Sequence, residues 1–452
     1  MGFRCENARM RRRQLATGLL ALVGVANLAA VVALWLRAGG VTQIGGTADA
    51  LTSFGRLCGL VGALLVLGEV LLLGRIPWLE RAVGFDRLAV WHARNGKVAL
   101  LALIAHAALI TVGYTLGDRT NLPDEIGRLL TGYPGVITAT AGLGLLIAVV
   151  VTSLVIVRRR LRYETWYFVH LYTYLAIALA FSHQIATGNE FVGDDLARTY
   201  WTALYLATAA ALVVFRFGVA GVRSARHGLR VERIVAEAPG VVSVEISGTR
   251  LEQLRVRPGQ FFCWRFLTRD RWWESHPFSL SAPPDGRRLR ITVKDLGDYT
   301  AALRSIPPGT RVLAEGPYGS FTADARRRPR VALIAGGIGI TPIRAMLDDM
   351  PGAPGDIAVV YRAVHEDDVV LRRELDELAQ RRHADLHYVI GDHRDPAGSA
   401  LLSAAHLREL VPDIAARDVY VCGPTAMTEA TRASLRGAGV PRGHIVTERF
   451  AL

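Results

Sequence analysis

The chain has 452 residues, 51% of them hydrophobic, and a formal net charge of +13, a length that allows two or three domains. Nucleic acid is excluded as the partner of that charge, because the arginines fall in short loops between apolar runs and over a polar C-terminal half. The 4 cysteines (Cys5, Cys58, Cys263 and Cys422) form no CxxC pair, so a disulfide framework, a zinc site and a four-cysteine iron–sulfur cluster are unsupported.

In chain order, six apolar runs approach the roughly 20 residues needed to cross a bilayer: about 14–36, 54–74, 96–116, 134–157, 166–186 and 200–220. The basic start resembles a secretory signal, but no small-residue cleavage site follows, so the first run reads as a retained helix. The loops alternate in charge. Arg4, Arg9, Arg11, Arg12 and Arg13 precede the first run. Arg75, Arg81, Arg87, Arg94 and Lys97 follow the second, and Arg158, Arg159, Arg160 and Arg162 follow the fourth. The intervening loops are poor in Lys and Arg, with Arg119 and Arg128 in one and Arg198 in another. The positive-inside rule then predicts a multi-pass protein of the cell membrane with both termini in the cytoplasm. The outer loops are too short for a folded domain.

The third and fifth runs each carry two histidines. WHARNGKVALLALIAHAALI holds His92 and His106, 14 residues apart, and TWYFVHLYTYLAIALAFSHQIATG holds His170 and His183, 13 apart. An ionisable side chain inside a membrane helix is expensive and marks a functional site, and histidine is a standard axial ligand of haem iron. Each pair is separated by roughly 20 Å along its helix, so two facing helices would hold two haems, one above the other: His92 with His170 on the inner side, His106 with His183 on the outer. Four unrelated histidines packed against hydroxyls and carbonyls is the plainer alternative. A 14-residue step nearly returns to one helix face, but a 13-residue step falls about 140° away; a rotated ring, a tilted helix or a bulge must absorb the difference. Glu69, near the inner end of the second run, reads as an interface carboxylate paired with Arg75. Arg216 suits either a haem propionate or snorkelling to the surface.

From Leu229 the pattern changes to short β-like runs separated by turns: LRVERIVAE, VVSVEISG, GQFFCWRFL, FSLSA, RLRITVKD and TRVLAEG. These predict a small antiparallel β-barrel. His276-Pro277-Phe278-Ser279-Leu280-Ser281 puts an aromatic ring and two hydroxyls on one extended strand, which suits backing a flat ring and bonding its polar edge. A core phenylalanine explains the segment as simply. Gly297-Asp298-Tyr299-Thr300 opens a short helix whose free N–H groups can meet a phosphate. Gly316-Pro317-Tyr318-Gly319 is a tight turn that allows close backbone approach.

From Arg330, strands and helices alternate. VALIAGG leads through Gly336-Gly337-Ile338-Gly339-Ile340-Thr341-Pro342 into IRAMLDD. IAVVYRA, LRRELDELAQ, LHYVI, SALLSAAHLREL, DVYVCG and HIVTERF follow. This is a doubly wound α/β domain with a Gly-rich turn where dinucleotides bind, though the turn is not GxGxxG. Cys422-Gly423-Pro424 ends a strand on the same carboxyl edge. The last strand brings Glu448 and Phe450 to the end of the chain. At the tip of IAVVYRA, where an acidic residue would bond both ribose hydroxyls, Arg362 stands instead; a guanidinium matches a phosphate, so NADPH is expected over NADH. Arg372 and Arg373 offer a second contact, while Glu366, Asp367 and Asp368 would invert the preference if their loop folds back.

Taken in order, the histidine spacings, HPFSLS, GDYT, GPYG, GGIGITP, CGP and a terminal aromatic resemble the flavocytochrome superfamily of ferric reductases and NADPH oxidases, over nearly the whole chain. The resemblance implies a membrane all-α six-helix bundle (1–222) with two haems b, an antiparallel FAD-binding β-barrel (223–327) and an α/β NAD(P)-binding domain (328–452). It implies that Phe278 and Ser279 hold the flavin ring and its edge, and that His276 and Pro277 shape that loop. Gly297, Thr300 and the Gly316 turn would serve the flavin, with Gly297 and Thr300 on its pyrophosphate. Gly336, Gly337, Gly339, Thr341 and Pro342 would receive the nicotinamide nucleotide, Cys422 and Gly423 would sit beside the nicotinamide, and Phe450 would cover the isoalloxazine. The expected activity is NAD(P)H-driven electron transfer through FAD and two haems to a one-electron acceptor at the outer face, a ferric chelate first, with oxygen or an unidentified redox partner as alternatives. AALITVGY, after His106, has no further His or Arg, which disfavours a dedicated superoxide producer. A transporter with a regulatory nucleotide domain, or a structural membrane protein, would need neither paired histidines nor the flavin motif.

Overall fold

The computed structural model describes residues 2–154, 157, 163–392, 398 and 400–449. The inner-loop Arg158, Arg159, Arg160 and Arg162 and the terminal Phe450 lie outside them. The chain forms two compact units, Met1–Val219 and Ala220–Leu452.

The first unit is helical among its described residues: α1 (Gly2–Arg37), α2 (Thr47–Leu72), α3 (Pro77–Val83), α4 (Phe85–Gly117), α5 (Leu122–Gly132), α6 (Val136–Ser153), α7 (Tyr163–Thr187) and α8 (Asp195–Ala211). Among the described residues, six stretches are long and apolar enough to cross a membrane: Thr17–Arg37, Thr47–Leu72, Arg87–Gly117, Val136–Ser153, Thr165–Thr187 and Asp195–His227. The chain is therefore a multi-pass membrane protein. Leu22, Leu101, Ile137 and Leu206 stand exposed on these helices, as lipid-facing side chains do. The last span carries a π-helical turn at Leu212–Gly218, where Arg216 donates to the Tyr167 hydroxyl at 3.3 Å. The helix α5 falls in a connection that reads as loop. Its start is nonetheless written in the sequence, since Asn121 caps it by accepting from the Asp124 N–H at 3.0 Å, and Pro123 follows.

Within this unit α2 packs along α4, and α6 along α7. Lipid tails are as apolar as the helices, so such pairs depend on close packing of small residues. An added Cβ would lie 2.7 Å from His106 Nδ1 at Gly59, 2.8 Å from the Leu103 side chain at Gly62, and 2.8 Å from the Ala176 carbonyl at Gly142. The glycines of α2 thus let its backbone lie directly against the histidine helix.

Among its described residues the second unit holds eleven strands. β1 (Arg230–Ala238), β2 (Val241–Ser247) and β5 (Arg288–Lys294) form one antiparallel sheet. β4 (His276–Ser279), β3 (Phe261–Phe266) and β6 (Val312–Tyr318) form another. Continuous ladders stop at the edges of each sheet. A single bridge, Arg230 with Arg311, joins β1 to the start of β6, and another, Leu280 with Ile291, joins the end of β4 to β5. The expected antiparallel strands are all present, as two bridged sheets, with Trp264, Phe262, Phe266, Ile246 and Ile291 buried between them.

Next come β7 (Val331–Gly336), β8 (Ile357–Ala363), β9 (Asp385–Ile390), β10 (Asp418–Gly423) and β11 (Ile445–Arg449), a parallel sheet ordered β11-β10-β7-β8-β9. Helices alternate with these strands, among them α11 (Ile340–Asp349), α12 (Arg372–Arg382), α13 (Ala404–Leu410) and α14 (Thr425–Gly437); α9 (Val219–His227) and α10 (Asp298–Ala302) lie earlier in the chain. Strand order reverses on either side of β7, so β7 and β10 flank the switch point, where an open α/β sheet leaves a crevice at its carboxyl edge. The opposite edge is clamped shut. Buried Asp418 accepts from the Arg328 N–H at 2.6 Å and pairs with His444 Nδ1 at 2.6 Å. Arg417 donates to the carbonyls of Val331 and Asp356 at 3.1 and 3.0 Å.

Candidate functional site

The four membrane histidines meet as two pairs. Ring centres of His92 and His170 lie 5.9 Å apart, with planes at 57°, and those of His106 and His183 lie 6.3 Å apart, at 50°. The rings that meet are those of the histidines expected at matching depth. The helix α7 is regular throughout, so no bulge absorbs the 13-residue step. Every Nδ1 already has a neighbour. His92 Nδ1 lies 2.5 Å from Glu69 Oε2, and His106 Nδ1 lies 2.8 Å from the Gly55 carbonyl. His183 Nδ1 lies 2.8 Å from Thr187 Oγ1, and His170 Nδ1 lies 3.5 Å from Ser153 Oγ. An imidazole whose Nδ1–H is donated presents Nε2 as its ligating atom. Two imidazoles bound to opposite sides of one metal, at bonds of about 2 Å, have ring centres roughly 6 Å apart. The rings therefore have the separation that a bis-histidine haem asks for. Among the described residues no group of three or more His, Cys, Asp or Glu is placed to hold a bare metal ion; a haem iron takes only two ligands from the protein.

Two charged groups here differ from expectation. Glu69 does not pair with Arg75. Arg75 Nη1 lies 3.6 Å from Glu80, while Glu69 is held by His92 and, through Oε1, by the Asn95 amide at 2.6 Å. A carboxylate with a histidine donor and an amide donor inside the helix pair is better compensated than one left to reach an interfacial arginine. The sequence reading also passed over Arg56, which follows Gly55 in α2 and pairs with buried Glu190 at 3.6 Å.

The flavin motifs converge through stacking. His276 lies face to face with Tyr299, ring centres 3.7 Å apart at 26°, and more distantly with Phe278, at 6.4 Å and 17°. The ring of Tyr299 thus ties GDYT to HPFS. Its role was not legible, because a tyrosine between two motif residues carries no distinguishing pattern. Burial pushes its phenol well above the usual range, with the charge of Glu274 adding to the effect. Pro277 is exposed, Phe278 half-buried and Ser279 only 4% exposed. Ser279 Oγ is buried without a hydrogen-bond partner, as is the Tyr299 hydroxyl. An orphaned buried hydroxyl asks for an explanation, and a bound ring with a polar edge supplies one. Ser281, by contrast, is spent: its hydroxyl accepts from Arg290 Nε at 3.1 Å and from Thr292 at 2.8 Å. Thr300 is also engaged locally, its Oγ1 accepting from the Leu296 N–H at 2.8 Å and donating to the Gly297 carbonyl at 2.9 Å. It shapes the turn, and around Gly297 an added Cβ would meet nothing within 4 Å. At Gly316 an added Cβ would strike the Phe262 ring at 2.6 Å. That close approach seats the following Tyr318, whose ring centre lies 5.8 Å from that of Phe261, the register partner of Ser279.

At the carboxyl edge of the parallel sheet, the two glycine turns touch through their backbones. An added Cβ at Gly339 would lie 2.3 Å from the Cys422 carbonyl, one at Gly423 would lie 3.2 Å from the Gly336 backbone, and one at Gly336 would lie 2.0 Å from Met427 Sδ. Gly337 is different: its φ is +53° and nothing lies within 4 Å of an added Cβ, so it faces open space. Thr341 is buried and donates to the Ile338 carbonyl at 3.1 Å, and buried Pro342 opens α11. Cys422 is wholly buried; burial raises its thiol pKa, and the charge of its register partner Glu448 raises it further. Glu448 also approaches Gly319, 3.7 Å from a Cβ built there; Gly316-Pro317-Tyr318, expected as a tight turn, is instead the end of strand β6, paired with β3.

Arg362 is at the tip of β8, in register with Gly336. Its guanidinium donates to the carbonyls of Ala363 and Val389. The acidic loop after it does fold back, onto cations: Glu366 pairs with Arg372 at 2.5 Å and Asp368 with Lys294 at 2.9 Å. Arg373 pairs with Glu377 at 3.0 Å.

Family models match this chain in three places: a ferric reductase like transmembrane component over residues 58–181, a FAD-binding domain over 233–322 and an oxidoreductase NAD-binding domain over 333–433. Ferredoxin--NADP reductase B of Sorangium cellulosum is 30% identical over 187 residues, which cover 38% of this chain and 77% of that protein. The glycine betaine monooxygenase reductase subunit of Chromohalobacter salexigens is 25% identical over 237 residues, 50% of this chain and 64% of its own length. The chain thus spans from just under two thirds to about three quarters of these relatives. Among solved structures, the flavohem-like FAD/NAD binding domain of nitric oxide dioxygenase from Vibrio cholerae gives a loose match, with TM-score 0.41 and 21% identity over 50% of this chain and 99% of that one.

Proposed function

Because the chain belongs to the ferric reductase superfamily, a ferric-reductase-like transmembrane component joined to a ferredoxin–NADP reductase-like FAD- and NAD-binding module, we propose that this NAD(P)H- and FAD-dependent oxidoreductase passes electrons through two membrane haems b to a one-electron acceptor on the outer face, a ferric chelate before oxygen. The observation that carries the haem reading is the pair of histidine couples with every Nδ1 engaged and ring centres 5.9 and 6.3 Å apart. The arginine distribution supports an orientation with both termini in the cytoplasm of a cell-membrane protein. The module divides into a flavin domain (223–327), whose two bridged sheets read as one barrel, and a nucleotide domain (328–452).

When bound, FAD supplies two-electron acceptance with one-electron release, and the haems supply one-electron relays. The chain's own residues bind, orient and exclude water. The Ser279 hydroxyl bonds the polar edge of the flavin and Phe278 backs its ring, while His276, stacked on Tyr299 and followed by Pro277, fixes the strand. Gly297 and Thr300 leave room for the rest of the cofactor, and Gly316, in β6, lets the strand pass close to the Phe262 ring. Gly336, Gly337 and Gly339, with Thr341 and Pro342 opening the helix, admit the nicotinamide nucleotide, and Arg362 favours its 2′-phosphate. The backbone of Cys422 and Gly423 walls the nicotinamide, and the buried Cys422 thiol stays protonated. Phe450, outside the described residues, would cover the ring as the family resemblance implies. His92 and His170 ligate one haem, His106 and His183 the other.

Pyridine haemochrome analysis of the purified protein should give two haems b per chain, and His106→Leu should leave one while NADPH still reduces the flavin. A ratio of one or zero in the unmutated protein overturns the haem reading. Reduction of a ferric chelate should outpace superoxide formation in the same membranes; the reverse order makes oxygen the acceptor.

A further inference from the structure

We propose that Glu69 makes the two histidine pairs electronically unequal, so that the His92–His170 iron is the lower-potential member; this rests on the di-haem reading above. The two sites differ in what their Nδ1 atoms meet. At one, His92 donates to a carboxylate 2.5 Å away. The other oxygen of that carboxylate accepts from Asn95 Nδ2 at 2.6 Å, and the same amide donates to the Leu65 carbonyl at 3.0 Å. A Cβ built at Gly96 lies 3.3 Å from the carboxylate, and Glu69 is only 8% exposed. The group is therefore fixed, dry and aimed at the imidazole. At the other site both acceptors are neutral. His106 meets the Gly55 carbonyl, and His183 meets Thr187 Oγ1, whose own hydrogen is committed to the His183 carbonyl at 2.7 Å.

A hydrogen bond from a ligating imidazole to a carboxylate raises the basicity of the ligand, and the negative charge in a low-dielectric site adds to it. Both favour ferric over ferrous iron. A backbone carbonyl or a hydroxyl gives the same orientation with far less charge. The inequality sets a thermodynamic direction, from the His92–His170 end toward the His106–His183 end. Asn95 is the positioning residue, since it holds the carboxylate without touching the ring.

Potentiometric titration of the haem absorbance in the purified protein tests this without reading activity, after the haem content of each sample is fixed by pyridine haemochrome. The unmutated protein should show two couples. Glu69→Gln, which keeps the shape and one acceptor oxygen but removes the charge, should raise the lower couple so that its oxidised-to-reduced ratio at a fixed potential falls at least tenfold, about 59 mV for a one-electron couple, and leave the upper couple in place. Glu69→Asp should restore most of the difference. Thr187→Val should move the upper couple only, and by less. Two haems with neither couple moved by Glu69→Gln, or with the upper one moved, overturn the role of Glu69. Fewer than two haems in the unmutated protein overturn the reading beneath it.

Discussion

Ser279→Ala separates a structural serine from one kept for a ligand. The hydroxyl lies in β4 at 4% exposure with no partner. Burying an unsatisfied hydroxyl costs about 1–3 kcal/mol, so without flavin the alanine variant should be as stable as the parent or more so. With flavin bound, the hydroxyl gains its bond, worth about 0.5–1.5 kcal/mol net. Its loss should weaken FAD binding by roughly 2- to 13-fold. The two effects have opposite signs, which a general packing defect would not produce. Hydrogen exchange at the β3 and β4 amides of the flavin-stripped protein reads the first, and fluorescence titration with FAD reads the second. Faster exchange in the stripped variant, or an unchanged FAD affinity, refutes the assignment of Ser279 to the flavin edge.

The glycine turns should respond unequally. Gly339→Ala places a methyl 2.3 Å from a backbone carbonyl, which neither side can yield cheaply, so NADPH turnover should collapse even in protein that folds. Gly337→Ala meets no atom but holds φ at +53°, so its cost should be about 1–2 kcal/mol of stability with turnover largely kept; equal losses from the two would contradict the contact argument. Arg362→Ala should lower kcat/KM for NADPH by roughly 10- to 150-fold, the worth of a charged hydrogen bond, and leave NADH nearly unchanged. Equal losses with both nucleotides would make Arg362 a prop for the Ala363 and Val389 carbonyls alone. The Lys294 hydrogen bond holds Asp368 below its ordinary 3.8. The folded carboxyl is the stronger acid, so this contribution is present above pH 3.8 and lost as pH falls through the folded value. Lys294→Met should flatten the acid limb of an unfolding profile, and an unchanged limb would show that the pair contributes nothing.

What the sequence determined here is what repeats along the chain or is set by nearest neighbours. Bilayer thickness dictates the length of an apolar run, so six spans were legible, and histidines 14 and 13 residues apart declared two depths. Alternating strands and helices dictated the parallel sheet, and glycines after VALIA and DVYVC marked its working edge. Tertiary structure decided everything that depends on which distant group arrives. Glu69 faces His92 rather than Arg75, because α2 and α4 pack closely enough at their glycines for a carboxylate to find an imidazole between helices. Ser281 and Thr300 look as available as Ser279 in the sequence, yet Arg290 and Thr292 take the first hydroxyl and Leu296 and Gly297 engage the second. The acidic loop after Arg362 folds onto Arg372 and Lys294, residues 6 and 74 positions away along the chain. Hydrogen-bond partners compete within a few ångströms in space, and no local pattern records which competitor the fold brings near.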